Sequence, residues 1–476
     1  MDNTFFIEKA YINGTFISRE RTFDIINPAN LEKLGTMPDL TVADCKAAIT
    51  AADEAWKSWR SVPVGERCAI VRKMFELIKV HRETLAEIMT KECGKPYTES
   101  LGEVEYANSF MEWFAEEGKR AYGETIPSLK GNTHLATVKQ GVGVVAAITP
   151  WNFPLAMVTR KVAPALVAGC TVVLKPASQT PFSAVALAKI AELAGLPKGV
   201  LHVVTSKDSK GFGEELATNP LVRKISFTGS TEVGKTLMEQ AASTIKRVSM
   251  ELGGNAPFIV FADADIDKAV EGAIAGKFRN AGQTCVAVNR FYIQEEVYEQ
   301  FTEKLTQAVA KLQVGDGMDE ETQIGPLINQ KGLDKVQEHI VDAVSKGAKI
   351  TTGGKALEKL FFAPTVLRDV PTKALIAEEE TFGPVCALFK FKTEEEAIGL
   401  ANQTPYGLAA YFYSENIRRC HRVSEKLEAG MIGINTGMLS NASAPFGGVK
   451  LSGIGREGSH YGLDEYLEVK YLCFGI

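Results

Sequence analysis

The chain has 476 residues, which is too long for one ordinary core, so we expect about two or three domains. Hydrophobic residues make up 45% and charged residues 23% of the chain, and this composition excludes a mainly disordered or fibrous protein. The formal net charge is -5 without a compensating basic run, so nucleic acid and an anionic membrane are poor partners and a small solute is the better one.

The first residues contain no basic segment followed by an apolar stretch, and no later window approaches about 18 uncharged apolar residues. We therefore expect a cytoplasmic protein without a membrane contact. The 8 cysteines are scattered without Cys-x-x-Cys pairs, and the 6 histidines do not cluster with them. This pattern predicts reduced thiols and argues against a disulfide framework and against a metal site.

The first third of the chain is predicted to begin helical. Thr41, with Asp44 three residues later, has the pattern of a capping box. Apolar residues between positions 70 and 78 recur on one face of a helix. Gly94 and Pro96 are predicted to end this helical region.

From about residue 143, short apolar runs alternate with helical segments. The predicted strands are 144–148, 171–174, 200–204 and 224–227, and the predicted crossover helices are 156–167 and 184–193. This succession predicts a doubly wound parallel sheet, which binds ligands at the carboxyl ends of its strands. A second α/β series is predicted from about residue 254, with a strand at 257–261 and helices at 266–278 and 296–312.

Two further segments predict a small β structure. Residues 122–142 are polar with alternating apolar positions, which favours an extended hairpin or arm. Residues 466–474 form an apolar strand at the chain end, and such a strand needs a sheet edge as its partner.

The strongest chemical signal is the run NAGQTC at residues 280–285. Small residues form a turn that presents Cys285 just before a strand-like segment. A thiolate is an effective nucleophile toward a carbonyl carbon, and a glycine in the turn lets a substrate approach closely. For a lone cysteine, a buried structural role is the alternative interpretation.

Two other segments supply possible partners for this thiol. Glu251 follows a strand-like run and precedes two glycines. We expect it to be half-buried at a domain junction, with a raised pKa, and able to activate water as a general base. Asn152 follows the first parallel strand, and its side-chain amide can donate to a developing oxyanion. Taken separately, a surface carboxylate and an ordinary turn residue are the alternatives.

The segments PWNFP (150–154), MELGGN (250–255) and GQTC (282–285), in this order, resemble the aldehyde dehydrogenase superfamily. The likeness extends from about residue 27 to 467, with further matches at 175–177, 227–230, 379–384, 445–448 and 452–453. The resemblance implies that Cys285 adds to an aldehyde and gives a thiohemiacetal, whose oxyanion is held by Asn152 and the Cys285 N–H. It also implies that Glu251 activates the water that hydrolyses the later thioester.

The same resemblance implies a nicotinamide dinucleotide as the hydride acceptor. The segment 227–234 lacks the G-x-G-x-x-G fingerprint, but it places glycine, hydroxyls and a helix N-terminus after a strand, which suits a pyrophosphate. NAD-preferring members often carry Glu three residues after the ribose-binding lysine, and Ser178 at this position favours NADP over NAD. The residues that would bind the cofactor are Trp151, Lys175, Ser178, Gly229, Ser230, Glu380 and Phe382.

The substrate segments resemble succinate-semialdehyde dehydrogenases. Arg160, Arg279 and Ser440 match positions that bind the distal carboxylate of the substrate in that group. Two guanidiniums and a hydroxyl in one pocket hold a carboxylate by charge-assisted bonds. A structural ion pair of either arginine is the alternative, and glutarate semialdehyde or an uncharged aldehyde stays open as the substrate. Ala287 stands where many members of that group have a second cysteine, so a local disulfide switch is excluded.

Other classes of protein also stay open. A CoA-acylating semialdehyde dehydrogenase normally lacks the base, so Glu251 argues against it. A cysteine hydrolase needs a histidine that activates the thiol, and no motif nominates one. A non-catalytic protein is disfavoured because nucleophile, base and oxyanion donor are all present.

The full prediction is an α/β protein with three parts, which assembles as a homodimer or homotetramer. The parts are a doubly wound, dinucleotide-binding domain (1–121 and 143–253), a second α/β, catalytic domain (254–440) and a small β arm for oligomerisation (122–142 and 456–476).

Overall fold

The computed structural model describes residues 4–476. Within them the strands are β1 (Ala10–Ile12), β2 (Thr15–Ile17), β3 (Thr22–Ile26), β4 (Lys33–Pro38), β5 (Thr125–Ile126), β6 (Thr133–Gly141), β7 (Val144–Ile148), β8 (Thr171–Lys175), β9 (Leu201–Val203), β10 (Val222–Thr228), β11 (Arg247–Glu251), β12 (Ala256–Val260), β13 (Val288–Gln294), β14 (Lys349–Thr352), β15 (Thr365–Arg368), β16 (Val385–Phe391), β17 (Ala409–Tyr413), β18 (Met431–Ile434), β19 (Gly453–Ile454) and β20 (Leu467–Gly475).

The α-helices of the same residues are α1 (Val42–Trp59), α2 (Val64–Val80), α3 (Arg82–Cys93), α4 (Tyr97–Glu117), α5 (Ala156–Ala168), α6 (Phe182–Ala194), α7 (Ser209–Thr218), α8 (Thr231–Ala241), α9 (Ile266–Phe278), α10 (Tyr298–Val309), α11 (Gln330–Ser345), α12 (Leu375–Glu378), α13 (Glu394–Asn402), α14 (Ile417–Lys426) and α15 (Ser459–Asp464). Among these described residues, no helix is long and apolar enough to cross a membrane.

The first sheet confirms the predicted doubly wound architecture. Its strand order is β19-β11-β10-β7-β8-β9-β1-β2, and the five strands from β11 to β9 are parallel. Apolar cores cover both faces of this sheet, which explains why β7 and β8 are continuous apolar runs rather than alternating ones. The carboxyl ends of β7, β10 and β11 therefore meet at one edge of the sheet.

The second sheet confirms the predicted second α/β unit. Its order is β14-β15-β16-β13-β12-β17-β18, and all pairs are parallel except β14 with β15. It has its own apolar core. The division of the chain at residue 254 stays a prediction.

The third sheet contains a hairpin and the chain end. Strand β6 pairs antiparallel with β5 on one side and with β20 on the other. The pairing of β6 with β20 runs from Leu467 opposite Gly141 to Gly475 opposite Thr133. The terminal strand thus has its partner within the same chain. The outer edges of β5 and β20 are unpaired in this sheet.

Two predictions about the first third of the chain are wrong. The chain does not begin helical, because β1 to β4 precede α1; β1 and β2 have only three residues each, too few for a clear alternation. Gly94 does end α3 in a left-handed conformation, but Pro96 precedes a further helix, α4, since proline is well tolerated at a helix start. The capping box of Thr41 and Asp44 is confirmed.

Candidate active site

One cavity of about 260 Å³ opens at the carboxyl ends of the parallel strands. Its walls come from the loops after β7, β10 and β11 and from the turn before β13, so both large sheets contribute. The predicted site residues that line it are Trp151, Asn152, Arg160, Gly229, Ser230, Arg279, Cys285, Glu380, Phe382 and Ser440. Three predicted residues, Glu251, Lys175 and Ser178, are not part of this lining.

The turn before Cys285 is tightly constrained. Asn280, Ala281 and Gly282 have consecutive φ values of 50°, 54° and 76°, a left-handed path that is costly for residues with a side chain. A Cβ atom on Gly282 would lie 2.3 Å from the Gly383 carbonyl oxygen, and one on Gly254 would lie 2.5 Å from the Cys285 carbonyl oxygen. The packed backbone thus fixes where the cysteine stands.

The Cys285 side chain is partly exposed to the cavity. Burial raises the pKa of its thiol to about 12, and the nearby Arg160 opposes that shift. Glu380 and Glu251 add to the increase. The protonated thiol therefore dominates at neutral pH in the free protein.

Asn152 is buried next to the cysteine turn. Its side-chain Nδ2 donates to the Gln283 carbonyl oxygen at 2.9 Å. Its own carbonyl oxygen accepts from Lys95 Nζ at 2.7 Å and from Asn280 Nδ2 at 3.0 Å. One N–H of the Asn152 amide remains for a ligand in the cavity.

Glu251 lies deeper than predicted. It is the last residue of β11 and only 2% exposed, rather than half-buried, because the chain around Gly447 covers it. A Cβ atom on Gly447 would lie 2.8 Å from Glu251 Oε1. Neither carboxylate oxygen has a hydrogen-bond partner among residues 4–476. Burial raises the pKa of Glu251 well above its usual value, Glu457 adds to the effect, and Arg160 opposes it.

Arg160 is 1% exposed and pairs through Nε with Glu457, whose other carboxylate oxygen accepts from Lys161. The ion pair weighed as the alternative is therefore present. Arg160 also lines the cavity, and its Nη1 and Nη2 have no hydrogen-bond partner among the described residues. Its guanidinium lies 4.5 Å from the centroid of the Phe446 ring.

Arg279 and Tyr106 complete the polar end of the cavity beside Ser440. The Arg279 guanidinium lies 5.0 Å from the Phe153 ring centroid, and nothing in residues 4–476 forms an ion pair with it. The Tyr106 hydroxyl is buried with Arg160, Arg279 and Ser440 as its polar neighbours, and burial raises its pKa. Sequence reasoning missed Tyr106 because it did not predict α4. It also missed Glu457, for which no local motif exists.

Loops of both sheets form the other end of the cavity. Glu380 accepts from the Gly254 N–H at 3.3 Å, and burial raises its pKa to about 7. The Phe382 ring stands edge-on to Trp151 with centroids 5.7 Å apart. Ser230 caps the N-terminus of α8.

A glycine and a lysine mark the edge of the first sheet near this end. A Cβ atom on Gly229 would lie 2.4 Å from the Phe227 ring, so only glycine fits there. Lys175 ends β8 and is 4% exposed, and among residues 4–476 its only hydrogen-bond partner is the hydroxyl of Ser209, 3.4 Å from Nζ. Burial lowers the pKa of Lys175 to about 8. Ser178 follows it on a partly exposed turn.

Comparison with known proteins gives full-length matches. The model of the aldehyde dehydrogenase family matches residues 16–472. The NADP(+)-dependent succinate-semialdehyde dehydrogenase of Escherichia coli is 57% identical over 479 residues, covering 100% of this chain and 99% of that protein. The glutarate-semialdehyde dehydrogenase of Pseudomonas putida is 57% identical over 477 residues, with 100% and 99% covered. The crystal structure of an E. coli NADP-dependent enzyme has a TM-score of 0.99 at 57% identity, with 100% and 99% covered.

Proposed function

The chain belongs to the aldehyde dehydrogenase family, and from this membership we propose that it oxidises succinate semialdehyde to succinate with NADP as the preferred cofactor and NAD as a possible one. The observation that carries the substrate is the pair of guanidiniums at one end of the Cys285 cavity, those of Arg160 and Arg279. Arg160 is buried and its Nη1 and Nη2 have no hydrogen-bond partner among residues 4–476, and the partly exposed Arg279 forms no ion pair among them. A buried cationic group is costly without an anion, and the distal carboxylate supplies one for both guanidiniums.

Glutarate semialdehyde is the second candidate substrate. The P. putida relative that bears this name is as similar to the chain as the succinate-semialdehyde dehydrogenase. One added methylene changes binding by only about 1–3 kcal/mol, so the same arginines serve either chain length.

In the proposed mechanism, the thiol of Cys285 loses its proton to solvent, and the thiolate sulfur adds to the aldehyde carbon and forms a thiohemiacetal. The remaining N–H of the Asn152 amide and the Cys285 backbone N–H hold the oxyanion that develops. Bound NADP supplies the hydride acceptor. Loss of the hydride from the thiohemiacetal carbon to that acceptor leaves a thioester on Cys285, and Glu251, as a carboxylate, takes a proton from the water that attacks the thioester. Succinate leaves and the thiol is restored.

The residues proposed to bind the cofactor lie at the cavity and at the neighbouring ends of the parallel strands. Gly229, Ser230 and the N-terminus of α8 follow β10 and suit the pyrophosphate, since backbone N–H groups and the helix dipole favour an anion. Glu380 suits the nicotinamide ribose, and Trp151 with Phe382 bounds the same space. Lys175 ends β8, which is separated from β10 by β7, and Ser178 follows it; the adenosine ribose and its 2′-phosphate would be bound there.

Ser178→Glu is expected to shift the preference from NADP toward NAD. The new carboxylate would repel the 2′-phosphate, and like charges about 4 Å apart at a partly exposed site cost about 1–4 kcal/mol, enough to change the ratio of kcat/KM values by roughly tenfold. Ser178→Gln is the matched control, because it adds similar bulk without charge and should keep most of the NADP preference. An unchanged NADP/NAD ratio in the glutamate variant would show that the phosphate lies elsewhere.

Arg279→Ala is the test of the substrate. It should raise KM for succinate semialdehyde by about 30-fold or more, because losing one partner of a desolvated charged contact costs about 2–5 kcal/mol. An uncharged aldehyde of similar length never makes this contact, and its KM should hardly change. Steady-state kinetics on both aldehydes, with glutarate semialdehyde as a third, decides the matter. Equal losses for charged and uncharged substrates would make Arg279 a structural residue and remove the dicarboxylic assignment.

Assembly as a homodimer or homotetramer and a cytoplasmic location are also part of the proposal. The unpaired edges of β5 and β20 support the assembly, since an exposed strand edge is usually covered by another chain. The exposed apolar side chains of this sheet, Val469, Tyr471 and Phe474, point the same way.

A further inference from the structure

Asn152 is held from its backbone side by groups that line no part of the cavity. Lys95 Nζ donates to the Asn152 carbonyl oxygen at 2.7 Å, and Asn280 Nδ2 donates to the same oxygen at 3.0 Å. In the opposite direction, Asn152 Nδ2 donates to the Gln283 carbonyl oxygen at 2.9 Å. The loop of Asn152 and the turn of Cys285 therefore hold each other by hydrogen bonds in both directions.

Lys95 has a buried partner, Glu103, which forms hydrogen bonds to the same loop a few residues further along. Lys95 is 1% and Glu103 is 3% exposed, and the two form an ion pair. Glu103 Oε1 also accepts from the N–H groups of Leu155 and Ala156 at 3.0 Å and 3.1 Å, at the start of α5. A buried ion pair is by itself weak evidence for stability. The informative feature is where this pair binds the loop: Lys95 at Asn152 itself, and Glu103 at Leu155 and Ala156 just after it.

Asn280 is itself fixed in an unusual conformation. Its φ is 50°, and its backbone N–H donates to Glu99 Oε2 at 2.7 Å. Asparagine tolerates this left-handed region better than most residues, so the turn is compatible with the side chain. The Asn280 amide also donates to the Gln283 carbonyl oxygen at 3.3 Å, which ties the two ends of the turn together.

We propose that Lys95 and Asn280 are positioning residues, which aim the Asn152 amide at the oxyanion through the Asn152 backbone carbonyl. This inference depends on the proposed function, because it requires Asn152 to hold that oxyanion. Neither residue lines the cavity. Their effect should appear in the step in which the oxyanion develops and not in the intrinsic reactivity or exposure of the Cys285 thiol.

Asn280→Gly is the first test, because glycine accepts the positive φ and only the side chain is lost. With succinate semialdehyde and NADP, the single-turnover rate constant of NADPH formation should fall by about 10- to 100-fold, since an oxyanion donor that is misplaced by even ~1 Å costs a rate factor of this order. Alkylation of Cys285 by iodoacetamide, a displacement at saturated carbon, develops no oxyanion. Its rate should stay within about twofold of the wild type.

A double-mutant cycle separates positioning from a general structural effect. If Asn280 acts only through Asn152, adding Asn280→Gly to Asn152→Ala should cause little further loss. Lys95→Met is combined with Glu103→Gln, because this avoids leaving an unpaired buried carboxylate. This pair of substitutions should likewise cause little further loss when added to Asn152→Ala. An equal loss in the Asn152→Ala background, or a parallel loss of alkylation rate, would overturn the proposal.

Glu92→Gln provides the matched structural control. Glu92 is buried on α3 and accepts from the N–H groups of Phe182 and Ser183 at the start of α6, as Glu103 does for α5. Helix α6 carries no residue of the cavity, so this variant should lose thermal stability without slowing NADPH formation. If the wild-type protein does not oxidise succinate semialdehyde, the proposed function is refuted. If the wild type is active but the variants do not behave as expected, only the positioning role of Lys95 and Asn280 is refuted.

Discussion

Replacement of Cys285 by alanine is expected to abolish aldehyde oxidation and to leave NADP binding close to that of the wild type. In the proposed mechanism the thiol acts only in covalent chemistry, and no other described cysteine lines the cavity to replace it. Absorbance at 340 nm measures NADPH formation, and calorimetric titration measures cofactor binding. Cys68→Ala, a buried cysteine on α2, is the control and should retain full activity.

The pH dependence of Cys285 alkylation is a second measurement on the same residue. Because burial raises the pKa of the free thiol to about 12, the thiolate is a minor species at pH 7. Its fraction rises about tenfold for each pH unit below that pKa, so alkylation of the wild-type protein should accelerate in proportion between pH 7 and 10. Appreciable aldehyde oxidation by the alanine variant, at any pH, would contradict the covalent mechanism.

The parts of the site that the sequence predicts are those with a local pattern. Asn152, Gly229 and Ser230 directly follow strands, and the cysteine turn follows a helix and precedes a strand. Because parallel strands end at one edge of a sheet, residues after different strands converge without any long-range information. The four apolar runs at 144–148, 171–174, 200–204 and 224–227, alternating with helical segments, predict this sheet.

The parts that could not be predicted depend on contacts between distant segments. Arg160 pairs with Glu457, which lies nearly three hundred residues further along the chain and has no neighbouring motif. Tyr106 and Glu103 lie on α4, which was not predicted because Pro96 was interpreted as the end of a helical region rather than the start of a helix. The hydrogen bonds of Glu103 to the start of α5 and the place of Tyr106 in the cavity wall are tertiary features, and periodicity along one helix does not reveal them.

The burial of Glu251 was also underestimated, for a related reason. Its position at the end of β11 follows from the local pattern, but the segment around Gly447 that covers it comes from far along the chain. Full burial strengthens the proposed role, because it removes the hydrogen bonds that would stabilise the charge and so raises the pKa. The carboxyl group is then a stronger base once it is ionised.

Glu251→Gln is expected to release one equivalent of NADPH per active site and then to stall. Acylation needs no water, but hydrolysis of the thioester needs a base to accept the proton of the attacking water. Rapid mixing with succinate semialdehyde and NADP measures the burst, and mass spectrometry of the stalled protein should find a succinyl group on Cys285. The alternative that the structure raises is a role for Glu251 in deprotonating the Cys285 thiol, whose own pKa is high. In that case the glutamine variant would show no burst.

The pH profile of the wild-type enzyme gives an independent check on this role, with its sign fixed by the raised pKa. Only the ionised carboxylate accepts a proton, so hydrolysis should slow as the pH falls below the raised pKa of Glu251 and recover above it. The glutamine variant removes the group that titrates, and its residual hydrolysis should lose that dependence. At low pH the wild-type carboxyl group of Glu251 is largely neutral, so the glutamine amide resembles it in shape and charge. At that pH the thermal midpoint of the variant should therefore be close to that of the wild type. A stalled, succinylated and stably folded variant would place Glu251 in deacylation, whereas normal turnover would require another base.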